Sequence, residues 1–177
     1  MHFVFAGKAH PQDETGKALV AEIVGYAGSD SANRRFTFVP GYDMTVARTL
    51  VEGCDIWLNN PIRPREASGT SGEKAALNGG LNCSILDGWW AEMYDGANGW
   101  AIPASEEEDP ELRDSAEARV MYETLSSILE MYHTDRPAFQ DRIRHSWRTL
   151  GPKVIAARMI RDYASQVYDP ALERMGR

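Results

Sequence analysis

Cysteine is scarce in this chain. Cys54 and Cys83 are the only two among 177 residues, too few for a disulfide framework or a structural zinc site by themselves, and the scarcity predicts a reducing, cytoplasmic setting. Long apolar runs are missing as well: nothing approaches the roughly 20 residues that span a bilayer. Positive charge is the minority sign, with 19 Lys and Arg against 26 Asp and Glu and a formal net charge of −7. A broad nucleic-acid or anionic-membrane footprint is therefore disfavoured, while a local cationic pocket is not. The four histidines, His2, His10, His133 and His145, show no paired metal-ligand spacing, so no metal site is expected. Internal repeats, sustained heptads and a flexible linker are absent too.

What is present is apolar area. Five Trp, seven Tyr and five Phe within a 43% hydrophobic composition supply enough of it for one ordinary core, which excludes a disordered chain. Met1-His2-Phe3-Val4-Phe5 runs at once into Gly7-Lys8 without a cationic leader, so it reads as a strand that begins without preamble.

The first hundred residues alternate short apolar runs with amphipathic stretches. Strands are expected at Phe3–Ala6, Phe36–Val39, Asp55–Leu58, Cys83–Leu86 and, more weakly, Trp100–Ile102. Helices are expected from Asp13 to Ala27, Thr45 to Glu52 and Glu73 to Asn78, the first carrying Leu19, Ile23 and Tyr26 at helical spacing. Strands alternating with helices, without tight hairpin turns, imply crossovers and a parallel sheet. The fold class is therefore α/β with a Rossmann-like parallel sheet over residues 1–103. Residues 104–177 read as an acidic, Pro-bounded loop (Ser105–Pro110) followed, from Arg113, by C-terminal helices packing on the same domain. Three apolar faces mark those helices: Met121, Leu125, Ile128 and Tyr132; Phe139, Ile143 and Trp147; Ile155, Met159, Tyr163 and Val167. Gly151-Pro152 is expected to separate the last two.

Ligands of open parallel sheets sit beyond the carboxyl ends of the strands. The richest such stretch is Glu66-Ala67-Ser68-Gly69-Thr70-Ser71-Gly72-Glu73-Lys74, small residues and hydroxyls directly before a helix N-terminus. Two readings fit it: simple capping, or a cradle of backbone N–H groups for a phosphate. Gly72-Glu73-Lys74-Ala75 lacks the Lys-Ser/Thr ending of a P-loop, and neither Gly7-Lys8-Ala9 nor Gly41-Tyr42-Asp43 completes a dinucleotide fingerprint. Ser71-x-x-Lys74 matches a penicillin-recognising nucleophile motif, but its partner motifs are nowhere in the chain.

As a whole the stretch is more specific than its parts. Glu66 to Gly79, followed by Leu86-Asp87-Gly88-Trp89-Trp90, closely resembles the cofactor segment of the α-glucan (glycogen) phosphorylases. Phe5 to Pro11, Tyr42-Asp43-Met44, Asp55 to Pro61 and Asp95 to Trp100 resemble the bacterial branch of that family, in order, so the likeness runs from about residue 3 to about residue 169. It implies the C-terminal domain of a GT-B glycosyltransferase fold and a pyridoxal 5′-phosphate enzyme that releases glucose 1-phosphate from α-1,4-glucan and inorganic phosphate, with retention. By the same resemblance Lys74 forms a Schiff base with the cofactor, Thr70 and Ser71 hold its 5′-phosphate, and Tyr42 lines the cofactor site. Glu66 hydrogen-bonds hydroxyls of the transferred glucose, with Ser68 and Gly69 as backbone contacts to the same sugar. Lys74 then anchors the cofactor while its phosphate exchanges a proton with the substrate phosphate.

Two departures from the family pattern stand out. Glu73 replaces the apolar residue usual before the lysine and makes a Glu66…Glu73 pair that resembles, one residue short, the paired glutamates of retaining sugar-nucleotide glycosyltransferases. The family's phosphate-binding arginine and lysine also lie upstream of Gly7-Lys8-Ala9-His10, which implies a missing N-terminal Rossmann domain as partner and Met1 as a point inside a longer chain. On that reading the chain has little or no turnover alone, the face of its last helix lies open, and a homodimer is one assembly available to the intact enzyme. Two alternatives stay open: a non-catalytic, truncated phosphate- or sugar-binding module, and a glycogen synthase-like transferase. The latter has no need of a lysine at position 74.

Overall fold

A computed structural model describes residues 1–32 and 34–176. They gather into two compact units, Met1–Leu50 and Val51–Arg177.

In the first unit, β1 (Phe3–Ala6) and β2 (Phe36–Val39) pair in parallel with Phe3 opposite Phe36. They are joined by α1 (Glu14–Ala27), which starts where Asp13 Oδ1 accepts the Gly16 N–H at 2.8 Å. Aromatic packing holds the pair: the Phe3 and Phe36 rings stack at 4.9 Å, and Tyr26 of α1 meets Phe36 edge-on at 5.0 Å. A 3₁₀ turn at Asp30–Ala32 leads toward β2. After β2, Asp43 accepts the Val46 N–H and opens α2 (Met44–Gly53).

The second unit is built on a parallel sheet of order β3-β4-β5, formed by Ile56–Asn59, Leu81–Ile85 and Gly99–Ile102. All five residues of β4 are buried, as a central strand covered on both faces requires. Between β3 and β4 runs α3 (Thr70–Leu77), and between β4 and β5 runs α4 (Gly88–Met93). Two long helices follow, α5 (Pro110–Thr134) and α6 (Arg136–Val154); α6 packs on α3, β4 and β5, and α5 on β5 and α6. Trp90, Ile102, Ile128, Phe139 and Leu150 are nearly or fully buried. Arg142 of α6 ties the helix to the loop before β5, donating to the carbonyls of Gly96 and Gly99 at 3.2 and 2.7 Å with its guanidinium over Trp100. One turn on, His145 Nε2 lies 2.8 Å from Asp95 Oδ2. Burial opposes ionisation of Asp95, but the Ala97 amide and His145 outweigh it and hold the carboxyl below its usual range.

Several sequence expectations shift. Parallel strands are present, but they form two sheets, one in each unit. The acidic run is not wholly loop: Asp109 Oδ1 accepts the N–H groups of Glu111 and Leu112, so α5 begins at Pro110, three residues earlier than expected. Proline at a first helical position costs nothing, because its missing N–H would be unpaired there anyway. Gly151-Pro152 does not break α6. Pro152 lies inside the helix, which ends only when Ile155 takes an extended backbone; the proline removes one backbone bond and crowds the carbonyl four residues back, and the helix runs only to Val154 beyond it. The last apolar face runs through α7 (Ala156–Tyr163) and a π-helical turn (Ala164–Tyr168) toward α8 (Asp169–Met175). Ile155, Met159, Tyr163 and Val167 are all exposed.

Among the described residues no helix is long and apolar enough to cross a membrane, and no group of three or more His, Cys, Asp or Glu is arranged to hold a metal ion. Burial pushes the Cys83 thiol up to about 12, which leaves it a packing residue and not a nucleophile.

Candidate active site

α3 divides cleanly by helical spacing. Gly72, Ala75 and Ala76 form its buried face, small enough to let the helix backbone lie close to β4. A Cβ on Gly72 would stand 2.6 Å from Asn82 Oδ1 and 3.1 Å from the Trp89 ring. The opposite face carries Thr70 and Lys74, four residues apart, both exposed, with half-buried Ser71 three residues before the lysine. Residues at these spacings share one side of a helix. The two hydroxyls thus sit one turn N-terminal to the amine.

The N-terminus of α3 has no side-chain cap. Gly69 occupies the N-cap position at φ 88° and has no side chain to offer. A Cβ there would fall in the left-handed region and 3.1 Å from the Trp89 ring. Of the first-turn N–H groups, that of Gly72 donates to the Gly69 carbonyl at 3.1 Å; those of Thr70 and Ser71 have no partner within the helix and lie at the positive end of its dipole. Trp57 Nε1 of β3 donates to Ser71 Oγ at 3.2 Å, which occupies an acceptor lone pair and leaves the hydroxyl hydrogen to be given elsewhere. This donor set (two hydroxyls, uncapped amides and an ammonium group) fits a phosphate ester that also carries an aldehyde for the lysine.

Glu66 and Ser68 precede the helix on a loop stitched to the start of α4. Asp87 Oδ2 accepts the Glu66 N–H at 2.9 Å while Asp87 Oδ1 accepts the Gly88 N–H at 2.9 Å. Trp89 N–H donates to the Ser68 carbonyl at 2.9 Å. Gly88, at φ 50°, leaves no room for a Cβ, which would meet Ser68 O at 2.6 Å and Glu66 Cγ at 2.9 Å. Asn82 lies beneath this assembly in β4, 1% exposed, with both amide atoms unpartnered among the described residues.

Glu73, half-buried, lies near Arg158 of α7. Burial raises its carboxyl above the usual value, opposed by the charges of Lys74 and Arg158. The folded chain therefore holds this proton more tightly than the unfolded chain. The associated stability is present below the unfolded value, 4.5, and is lost as pH rises through the folded one. Glu73→Gln is expected to raise the melting temperature at pH 7, with the gain vanishing in acid titration below about pH 4. A lower melting temperature at neutral pH would contradict this.

Of the residues singled out in the sequence, Glu66, Ser68, Gly69, Thr70, Ser71 and Lys74 are gathered on one loop and one helix of the second unit. Tyr42 belongs to the first unit, half-buried in the turn between β2 and α2. An open apolar groove of about 420 Å³ on the first unit, lined by Val24, Phe36, Phe38 and Pro40 among others, includes none of the residues singled out. Sequence reasoning misses Trp57, Asp87 and Trp89 as supports. The one available signal is Asp87-Gly88, an N-cap aspartate ahead of a positive-φ glycine.

Comparison with known proteins adds an independent line. The family model described as carbohydrate phosphorylase matches residues 1–165. A glycogen phosphorylase of Mycobacterium tuberculosis (strain ATCC 25618 / H37Rv) is 48% identical over 184 aligned residues, covering 100% of this chain and 21% of the relative. A maltodextrin phosphorylase of Thermococcus litoralis is 38% identical over 97% of this chain and 21% of its own length. A glycogen phosphorylase of Aquifex aeolicus is 38% identical over 99% of this chain and 26% of its own. The chain thus spans a fifth to a quarter of the length of these relatives. A match this broad, on top of an uncapped helix that sets two hydroxyls one turn before a lysine, places the chain in the carbohydrate phosphorylase family.

Proposed function

We propose that this chain is the cofactor-bearing segment of an α-glucan phosphorylase and belongs to the C-terminal domain of a GT-B fold. The reaction is transfer of a terminal glucosyl unit from α-1,4-glucan to inorganic phosphate, giving glucose 1-phosphate. The observation that carries the reading is the donor set at the uncapped start of α3, held on a chain whose relatives are named glycogen and maltodextrin phosphorylases.

Pyridoxal 5′-phosphate, when bound, supplies a phosphate with a second pKa of about 6, suited to proton exchange with the substrate phosphate near neutral pH. The residues of this chain do the rest by holding. Thr70 and Ser71 grip the cofactor phosphate with hydroxyl and backbone N–H groups, and the Trp57 indole fixes which way the Ser71 hydroxyl donates. Lys74 would retain the cofactor covalently through its amine and would serve as an anchor only. Glu66 accepts from vicinal hydroxyls of the transferred sugar, a charge-assisted contact that tightens as positive charge develops at the anomeric carbon. Ser68 and Gly69 bring backbone close to the same ring. The partner is the N-terminal part of the enzyme, which closes the other side of the cleft.

Glucose 1-phosphate release by the full-length protein, from glycogen or maltodextrin and inorganic phosphate, tests this. Activity that appears only with pyridoxal phosphate is expected. Full-length protein loaded with cofactor and unable to release glucose 1-phosphate from either glucan would overturn it.

A further inference from the structure

We infer that Asp87 is a positioning residue that acts through Glu66. The inference rests on the proposed role of Glu66 at the sugar and deepens it. Asp87 is 8% exposed, and its carboxylate divides its two oxygens between two tasks. Oδ1 caps α4 at the Gly88 N–H, and Oδ2 reaches back 21 residues in sequence to the Glu66 N–H. The second bond is not needed to start a helix, because one acceptor oxygen suffices for a cap. Its consequence is to fix the backbone at the residue whose side chain must meet the substrate.

Three further observations converge on that backbone. The Trp89 N–H holds the Ser68 carbonyl at 2.9 Å, so the loop is tied on both sides of Ala67. Gly88 brings the α4 backbone so close that a Cβ would reach 2.9 Å from Glu66 Cγ. Glu66 Oε1 would lie 3.5 Å from a Cβ on Gly69, so the carboxylate leans toward the start of α3. Fixed geometry of this kind matters because a small displacement of a contact made in the transition state costs rate more than it costs stability.

The test is a double-mutant cycle on glucan phosphorolysis in the full-length protein, with Glu66→Gln, Asp87→Asn and the pair. Asn at 87 keeps one carbonyl oxygen for the Gly88 N–H and cannot accept at the other position. Glu66→Gln is expected to lower kcat/KM by about 10²-fold and Asp87→Asn by about 10-fold, as for hydrogen bonds to charged groups. The double variant should match Glu66→Gln alone within about twofold, because Asp87 acts through Glu66. Multiplicative losses, about 10³-fold in the double variant, would overturn the inference while leaving the role of Glu66 intact. Unchanged activity in Glu66→Gln would instead remove the sugar contact itself, and the inference with it. Asp87→Ser guards against misfolding: serine still caps α4 but is too short to reach Glu66. It should reproduce the 10-fold loss with pyridoxal phosphate labelling of Lys74 unchanged. Loss of folded protein in both Asp87 variants would assign Asp87 to the fold alone and overturn the inference.

Discussion

Trp90→Ala is expected to cost about 3–5 kcal/mol, the largest stability loss available from a single side chain of the second unit. Trp90 is fully buried, between Trp89 at 5.0 Å and Tyr94 at 5.2 Å, in a cluster with Ala76 of α3 and Leu150 of α6. Its indole N–H donates to the Trp100 carbonyl at 3.1 Å, tying α4 to β5. Truncation removes the ring from three elements at once, and the indole's hydrogen bond to β5 with it. Against a total stability of about 5–15 kcal/mol this is a large fraction, and the melting temperature should fall by roughly 6–20 °C. Trp90→Phe keeps most of the area and loses the hydrogen bond, so it should cost about 1–2 kcal/mol. Urea denaturation of both variants checks the pair. A loss below about 1 kcal/mol for alanine would mean that α4 is not part of the core.

Lys74→Ala is expected to do the reverse: no measurable loss of stability and near-complete loss of activity. The side chain is exposed on the open face of α3, and surface truncations of this kind usually stay within about 0.5 kcal/mol. On the proposed role of Lys74 no neighbour can replace it, since no other residue in the first two turns of α3 offers an amine. On that proposal Thr70 and Ser71 would still offer their hydroxyls to a phosphate, but the covalent anchor would be gone. In the full-length protein glucose 1-phosphate release should drop by about 10³-fold or more, at least ~4 kcal/mol in transition-state terms. Lys74→Arg should behave like alanine, since a guanidinium keeps the charge and cannot condense with an aldehyde. A variant at position 74 with more than about a tenth of parental activity would remove the lysine from the reaction.

The candidate site is legible in the sequence because it is nearly contiguous. Six of the residues singled out lie between Glu66 and Lys74, and helical spacing alone puts Thr70 and Lys74 on one side. Its supports are not. Trp57 reads as strand core from its apolar neighbours, and only folding brings its indole N–H to Ser71. Asp87 is 21 residues from the loop it holds; Asp87-Gly88 reads as a helix cap, and that local pattern says nothing of the distant loop. The elements divide in the same way. Phe3–Ala6 and Phe36–Val39 form strands over the expected residues, because Gly7 and Pro40 punctuate their ends. β4 begins at Leu81, two residues before the expected Cys83. The Gly79-Gly80 pair looks like a turn, yet Leu81 N–H already bonds the Asp55 carbonyl. α4 escapes detection because six residues are too few to display a helical period, and its two tryptophans point inward together.

One measurement bears on the central claim most directly. The protein is incubated with pyridoxal phosphate, reduced with borohydride, digested, and the modified residue located by mass spectrometry. The account predicts a single reduced adduct on Lys74, diminished when Thr70 and Ser71 are both replaced by alanine and absent in Lys74→Ala. Modification spread over Lys8, Lys17 and Lys153 with none at Lys74 would contradict it.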